Sequence, residues 1–184
     1  MSAPRIILES TRFKLVVERI ARHLHERYDD FADAAVIGIQ PRGGYFAERL
    51  HQRLLQHAPE LPLGKLDITF YRDDLRLGNT SLMPDPMVMD FDTEGKRIIL
   101  VDDVLYTGRT IHAALSALQN FGRPAQVELV IMVERRFRRH LPVAPDYLGL
   151  QVDALDEAYV RVRWEQEDGR DEITLYANKA ASKQ

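Results

Sequence analysis

The chain has 184 residues, a length that predicts one domain, and its 45% hydrophobic residues suffice for a sizeable core, which excludes wholesale disorder. The 25 Lys and Arg side chains stand against 28 Asp and Glu, a formal net charge of -3, so any polyanion must meet a local cluster of positive charge. The absence of cysteine excludes disulfides, thiolate metal sites and cysteine nucleophiles.

Helices and strands alternate along most of the chain. Apolar residues at helical spacing predict helices over residues 10–28, with Ser10 as the N-cap, over 45–56, and from about 109 until Gly122 and Pro124 end the last one. Short apolar runs predict buried strands over residues 34–39, 65–71, 97–101 and 127–133. This alternation predicts an α/β fold with a mostly parallel sheet flanked by helices, in which ligands bind beyond the carboxyl ends of the strands.

Two regions depart from the alternation. Residues 72–95 are rich in Asp, Pro and Gly with little periodicity, and so long a connection is usually functional or mobile. Residues 159–177 alternate apolar and polar residues around Asp168 and Gly169, which predicts a C-terminal hairpin added to the edge of the sheet. Arg5 interrupts the N-terminal segment and the apolar runs are too short to span a bilayer, so we expect a cytoplasmic protein without a membrane partner.

The stretch from Ile98 to Thr110 carries the most specific chemistry. A strand ends in two carboxylates, Asp102 and Asp103, and the small turn Thr107-Gly108-Arg109-Thr110 then opens a helix. Backbone N–H groups and the positive end of a helix favour an anion in such a turn. Carboxylates just upstream suit the hydroxyls of a sugar whose phosphate lies in the turn, directly or near Mg²⁺. Each half alone would favour a solvated strand end or an ordinary helix start, but their coincidence favours a phosphosugar site.

This stretch resembles the phosphoribosyl pyrophosphate signature of type I phosphoribosyltransferases. More narrowly, VDDVLYTGRT at residues 101–110 is similar to the bifunctional pyrimidine operon regulatory protein/uracil phosphoribosyltransferase family. The same family is matched by GIQPRGGYFAERL at residues 38–50, LDITFYRDDL at 66–75 and LPVAPDYLG at 141–149. The resemblance covers nearly the whole chain and implies the type I phosphoribosyltransferase fold in a single domain, residues 1–184.

The resemblance also implies roles for particular residues. Asp102 and Asp103 would hold the ribose hydroxyls of phosphoribosyl pyrophosphate, with Mg²⁺ brought by the substrate and either carboxylate able to contact it. The nucleotide-binding residues would be Arg42 and Gly43 at the pyrophosphate, and Tyr106, Thr107, Gly108, Arg109 and Thr110 around the 5′-phosphate. Residues 72–95 would form a hood that excludes water from an oxocarbenium-like centre, and Arg72 would be its catalytic cation.

These two arginines also admit simpler interpretations. Arg42 could be a solvated loop residue, and Arg72 a surface charge beside Asp73 and Asp74. Gly38 to Gly43 has the spacing of a P-loop, but no Lys-Ser or Lys-Thr follows it, which argues against nucleoside triphosphate hydrolysis.

The base-site loop implied by the resemblance, residues 134–146, departs from the family pattern. The family's Asp-Arg-Gly-His-Arg becomes a loop one residue longer, with Glu134 at the acid position and Arg136 and Phe137 where Gly and His are expected. Arg135 and Arg138 match the family and remain candidates for ligand contact, although a charge run is as often a solvated loop. Because Arg restricts a turn that Gly permits, we expect weakened uracil turnover.

Three interpretations of function remain open. The resemblance implies a uracil phosphoribosyltransferase that converts uracil and phosphoribosyl pyrophosphate into UMP and diphosphate and regulates pyrimidine biosynthesis. A nucleotide-sensing regulator with lost catalysis and a phosphoribosyltransferase for another base are the alternatives. The family implies a messenger RNA leader as one partner, which would be contacted by Arg19, Arg22 and Arg27 of the first helix. It also implies further copies of the chain, in a homodimer or larger oligomer. A plain amphipathic helix would show a similar polar face.

Overall fold

The computed structural model describes residues 4–71, 89–154 and 157–183. The helices are α1 (Ser10–Arg27), α2 (Arg42–Leu54), α3 (Arg109–Leu118) and α4 (Glu165–Asp168). The strands are β1 (Arg5–Leu8), β2 (Ala34–Ile39), β3 (Leu63–Leu66), β4 (Arg97–Leu105), β5 (Gln126–Arg135), β6 (Tyr147–Val152), β7 (Tyr159–Arg163) and β8 (Glu172–Tyr176). Short 3-10 turns cover Thr69–Tyr71, Gln119–Phe121 and Ala180–Lys183.

The main sheet is parallel and has the strand order β3-β2-β4-β5-β6. Side chains alternate between its two faces, so the uninterrupted apolar run of β4 serves two cores. Ile99 and Val101 pack with residues of α1 and α2, whereas Ile98 and Leu100 pack with residues of α3. Burial on both faces explains why the central strands are apolar without alternation, and it confirms the predicted α/β architecture.

The C-terminal hairpin lies in a second sheet rather than on the edge of the first. β7 and β8 pair antiparallel as predicted, but β8 also pairs with β1, giving the order β1-β8-β7. Trp164, fully buried after β7, contacts Phe13 of α1 edge to face at 5.0 Å between ring centroids. The predicted placement was wrong because the hairpin buries its apolar face against α1, and the short strand β1 carried no clear pattern of its own.

Two predicted strands, β4 and β5, run further than expected for a common reason, which is that backbone pairing is indifferent to side-chain polarity. β4 continues through Asp102 and Asp103 to Leu105, because Asp102 and Val104 still pair with β5. β5 likewise extends to Arg135, so the base-site loop begins after that residue instead of at Glu134. At the other ends, Glu9 and not Ser10 is the N-cap of α1, and β3 stops at Leu66.

Most of the predicted hood, residues 72–88 and with them Arg72, lies outside the described residues. Its last part, residues 89–95, is anchored to the segment that follows α3. Phe91 packs against the core beneath α3, and the backbone N–H groups of Thr93 and Gly95 donate to the carbonyls of Phe121 and Arg123. Within the described ranges, no helix combines the length and apolar character needed to cross a membrane.

Candidate active site

The two carboxylates of β4 lie near its carboxyl end. Asp102 is buried, and its Oδ1 accepts the backbone N–H of Asp103 at 2.9 Å. Burial raises the pKa of Asp103 to about 6, although the charge of Arg42 and the backbone N–H of Val104 work in the opposite direction. A partly buried carboxylate with a raised pKa in this position is stabilised by any ligand that donates hydrogen bonds to its charged form.

The turn at residues 106–110 forms the predicted junction between strand and helix. Gly108 caps α3 in the left-handed conformation, with φ of 91°, which favours glycine. The N–H of Arg109 points to the Thr107 hydroxyl at 3.4 Å, and Arg109 itself is exposed. The first-turn N–H groups of α3 are therefore presented at the carboxyl edge of the sheet, where they suit an anion.

This turn is tied to the base-site loop through its backbone. The carbonyl of Thr107 accepts the N–H groups of His140 at 3.0 Å and Leu141 at 3.2 Å. Arg139 donates to the Tyr106 carbonyl and pairs with Glu134 at 2.6 Å. The loop and the turn are thus held as one unit by contacts that the spacing of the sequence does not reveal, and Arg139 was missed for that reason.

Arg42 and Gly43 open α2 at the neighbouring strand β2, after a cis Gln40–Pro41 peptide bond. The sequence predicted a helix over residues 45–56, but helix α2 already begins at Arg42. A Cβ on Gly43 would lie 2.6 Å from the Val101 carbonyl oxygen and 3.0 Å from the Asp102 Cα. Gly43 therefore allows the start of α2 to approach the acidic end of β4 closely.

Arg42 is not a solvated loop residue. Its Nη1 donates to the Val162 carbonyl at 2.6 Å and to Asp168 at 3.0 Å, and Glu167 lies 3.8 Å from its Nη2. The guanidinium thus bridges the predicted pyrophosphate segment and the C-terminal sheet. Nothing in the sequence singled out Asp168 as its partner, because the two residues are separated by 126 positions.

The base-site residues Glu134 and Arg135 project from the end of β5. Arg135 is buried, with its guanidinium carbon 3.6 Å from the Tyr106 ring centroid, and it donates to the Ala158 carbonyl. Its Nε has no hydrogen-bond partner among the described residues. Burial lowers the pKa of Arg135. An unsatisfied buried donor of this kind is suited to a polar acceptor on a ligand.

A cavity of 610 Å³ opens beside this arginine. Its wall joins the turn at residues 106–110, the end of β5 and the C-terminal sheet. The lining residues are Tyr106, Arg135, Glu157, Ala158, Tyr159, Asn178, Lys179 and Ala180. Aromatic side chains and a few polar groups around a cavity of this size are typical of sites for small planar ligands.

The unusual residues of the base-site loop have separate structural consequences. Arg136 forms two hydrogen bonds to the Asp153 carboxylate, at 2.5 and 2.8 Å, outside the cavity lining. The left-handed position of the loop falls on Phe137, with φ of 78°, and not on Arg136 where the family has Gly. This strained position follows Arg136 by one residue, and Phe137 is 68% exposed. Arg138 is exposed in the same loop.

The three arginines of α1 have different environments. Arg19 donates to the carbonyls of Leu148 and Gly149 at 3.2 and 2.6 Å, which attaches α1 to the edge strand β6. Arg22 pairs with Glu18 at 3.2 Å, and Arg27 lies 3.6 Å from Glu128. The side chains of Arg22 and Arg27 are 76% and 64% exposed, so a ligand can reach them. Arg19 has a structural contact that the sequence did not predict.

The chemistry of the two carboxylates suits a magnesium ion. Within residues 4–71, 89–154 and 157–183, no group of three or more His, Cys, Asp or Glu side chains is arranged to hold a metal. Asp102 and Asp103 therefore offer one or two oxygen ligands, which suits Mg²⁺ because this ion usually retains water and substrate oxygens in its coordination shell.

Comparison with known proteins agrees with this architecture. A family model described as "Phosphoribosyl transferase domain" matches residues 5–167. The protein named "Bifunctional protein PyrR" from Halalkalibacterium halodurans is 40% identical over 174 residues, covering 93% of this chain and 96% of the relative. The protein of the same name from Haemophilus ducreyi is 41% identical over 172 residues, with coverage of 93% and 96%.

Solved structures share the fold at lower identity. A hypoxanthine phosphoribosyltransferase from Staphylococcus aureus superposes with a TM-score of 0.68 at 16% identity, covering 92% of this chain and 90% of that one. A hypoxanthine-guanine-xanthine phosphoribosyltransferase superposes with a TM-score of 0.66 at 16% identity, covering 96% of both chains. At this identity the likeness establishes the fold and carries no information about the base.

Proposed function

Because the chain belongs to the phosphoribosyl transferase domain family, we propose that it transfers the phosphoribosyl group of phosphoribosyl pyrophosphate to uracil and regulates pyrimidine biosynthesis. Relatives at 40% identity over nearly the whole chain are named bifunctional, which supports the pairing of the two roles. The observation that carries the proposal is the junction of β4 and α3. There an acidic pair, an anion-binding turn and the base-site loop form one connected unit.

The proposed substrate geometry follows from the polarity of each part of this site. The 5′-phosphate would lie against the N–H groups at Thr107 to Thr110, and the ribose hydroxyls would donate to Asp102 and Asp103. The diphosphate would then lie toward Arg42, at the start of α2. The base would enter the cavity beside Arg135, with the Tyr159 ring as an apolar wall.

The reaction exchanges one bond at the anomeric carbon. The bond from C1′ to the diphosphate oxygen breaks and its electron pair leaves with the diphosphate, the uracil N1 forms the new bond to C1′, and the N1 proton passes to water or to the departing diphosphate. The chain binds and orients both partners, which is the larger part of such catalysis. Negative charge on the departing diphosphate would be neutralised by Mg²⁺ carried with the substrate and by cations of the chain, for which we propose Arg42 and, from the hood segment, Arg72.

A base-by-base turnover assay tests this proposal. Full-length protein is incubated with phosphoribosyl pyrophosphate, Mg²⁺ and one base at a time, and the nucleotide is measured. We expect UMP from uracil, at a reduced rate because the base-site loop is altered, and none from Thr107→Arg, whose side chain would occupy the phosphate turn. UMP no higher than in this control would refute catalysis of uracil transfer, and nucleotide from another base would identify the alternative substrate.

The altered loop specifically favours a second candidate, a nucleotide sensor without catalysis. Phe137 holds a strained backbone position and Arg136 is tied to Asp153, while the phosphate turn and acidic pair are intact. Calorimetric binding of UMP without turnover would support the sensor.

The exposed Arg22 and Arg27, with Arg19 beside them, are the proposed RNA contacts, tested with a pyrimidine-gene leader. We propose a homodimer or larger oligomer, which light scattering measures directly.

A further inference from the structure

Asp168 occupies an unusual position between the two sheets. It is the last residue of α4, the four-residue helix between β7 and β8, and its side chain is only 8% exposed. One carboxylate oxygen accepts Arg42 Nη1 and the Trp164 backbone N–H, each at 3.0 Å, and the other accepts Arg161 Nη2 at 2.9 Å. The carboxylate therefore joins the first residue of α2 to the C-terminal sheet.

Arg42 lies between this carboxylate and the acidic end of β4. Its charge opposes the rise in the pKa of Asp103, so the guanidinium is close enough to act on that carboxylate. The hydrogen bonds to Asp168 and the Val162 carbonyl both use Nη1. Glu167, at 3.8 Å from Nη2, lies beyond hydrogen-bond distance. Within the part of the chain that the structure describes, the hydrogen bonds of Arg42 to other side chains and carbonyls all use Nη1, and Nη2 keeps only the longer ion pair with Glu167, so its donors can turn to an anion.

We propose that Asp168 is a positioning residue that holds the Arg42 guanidinium ready for the diphosphate group. The inference rests on the proposed function, since it assigns Arg42 to the diphosphate. A long side chain loses rotamer freedom when it binds a ligand, and a carboxylate that already fixes one of its nitrogens removes much of that cost. Asp168 would act through Arg42 without touching the substrate.

The test measures the affinity of full-length protein for magnesium diphosphate by calorimetry. We expect Asp168→Ala to weaken binding about 3- to 10-fold, the range expected for ordering one long side chain. Arg161→Ala is the matched control, because it removes another partner of the same carboxylate within the C-terminal sheet while leaving the Arg42 contact in place. It should bind diphosphate like the wild type. In turnover, Asp168→Ala should raise KM for phosphoribosyl pyrophosphate more than it changes kcat.

A double-mutant cycle separates positioning from a general structural role. In an Arg42→Ala background, adding Asp168→Ala should leave the diphosphate affinity unchanged, because the residue through which Asp168 acts is gone. Unchanged or tighter binding by the single Asp168→Ala variant would overturn the inference, since Asp168 would then be neutral or a competitor of the anion. An equal loss in both backgrounds, or the same loss in Arg161→Ala, would overturn it as well.

Two further outcomes are distinguishable from these. If wild-type protein binds neither magnesium diphosphate nor phosphoribosyl pyrophosphate, the proposed function itself fails. If Asp168→Ala does not fold, Asp168→Asn keeps the shape and one acceptor oxygen while removing the charge. It should then show a smaller loss of affinity in the same direction, and wild-type affinity in that variant would refute positioning by the charged carboxylate.

Discussion

Asp103→Asn is expected to make the ligand-free protein more stable near neutral pH while it weakens the proposed sugar site. Burial raises the pKa of Asp103 to about 6 from an ordinary value of 3.8. The folded protein therefore binds a proton at this carboxyl more readily than the unfolded chain does, and it bears a cost when the carboxyl is charged. Asn imitates the neutral form and removes that cost.

The magnitude follows from the two pKa values. A pKa difference of one corresponds to about 1.36 kcal/mol, so the charged carboxylate costs the folded protein up to about 3 kcal/mol above the folded pKa. Because Asp103 keeps some contact with solvent, we expect about 1–2 kcal/mol in practice. The cost is present in full above about pH 6, declines as pH falls, and disappears below the unfolded value of 3.8.

Urea unfolding of wild type and Asp103→Asn at intervals between about pH 7 and pH 4 measures this difference. The control is Asp153→Asn, because a hydrogen bond from Arg136 lowers the pKa of Asp153. That carboxylate stabilises the folded protein above the unfolded pKa and loses its effect in acid, so its replacement should not stabilise the protein at any pH. An Asp103→Asn variant no more stable than wild type near neutral pH, or a difference that does not shrink toward pH 4, would refute the argument.

Four other predictions concern the ligand, the backbone and the first helix. Binding of phosphoribosyl pyrophosphate with Mg²⁺ at about pH 6 should release up to about half a proton, because hydroxyl donors favour the charged form of Asp103. Calorimetry in buffers of different ionisation enthalpy measures the number of protons released. No buffer dependence would contradict this. Gly43→Ala should cost about 1–3 kcal/mol of unfolding free energy, because its Cβ would lie 2.6 Å from a strand carbonyl. Gly44→Ala is the control and should be neutral or stabilising, because the space around its Cβ is open. Equal effects of the two substitutions in denaturant melts would argue against the close approach of Gly43 to the strand. Arg22→Ala should reduce the salt slope of binding to a single-stranded leader by about 0.7, the value for one phosphate contact, without loss of stability. Arg19→Ala should also lower the unfolding midpoint, because it detaches α1 from β6, and unfolding unchanged by that substitution would contradict the structural role.

The stretch from Ile98 to Thr110 shows how far local pattern reaches. An apolar run, two acids and a Thr-Gly turn before amphipathic spacing are short-range features, and each depends on the preferences of a few neighbouring residues. They were sufficient to predict β4, the turn and α3, and to place the acids beside the turn. The extent of β4 was underestimated because its last residues are held by backbone pairing with β5, which their polar side chains conceal.

The sequence alone therefore determined the α/β class, the acidic pair with the Thr-Gly turn that opens α3, and the location of both at the carboxyl edge of the sheet, because periodicity and turn chemistry are local. Only the tertiary structure decided which arginines are engaged and with what. Arg42 meets Asp168 across 126 positions, Arg19 meets the carbonyls of β6, and Arg139 meets Tyr106. In the sequence these arginines resemble any other solvent-facing cation. Their contacts arise only after the sheets and α1 have packed, because the partner atoms are backbone carbonyls and carboxylates brought close by the fold.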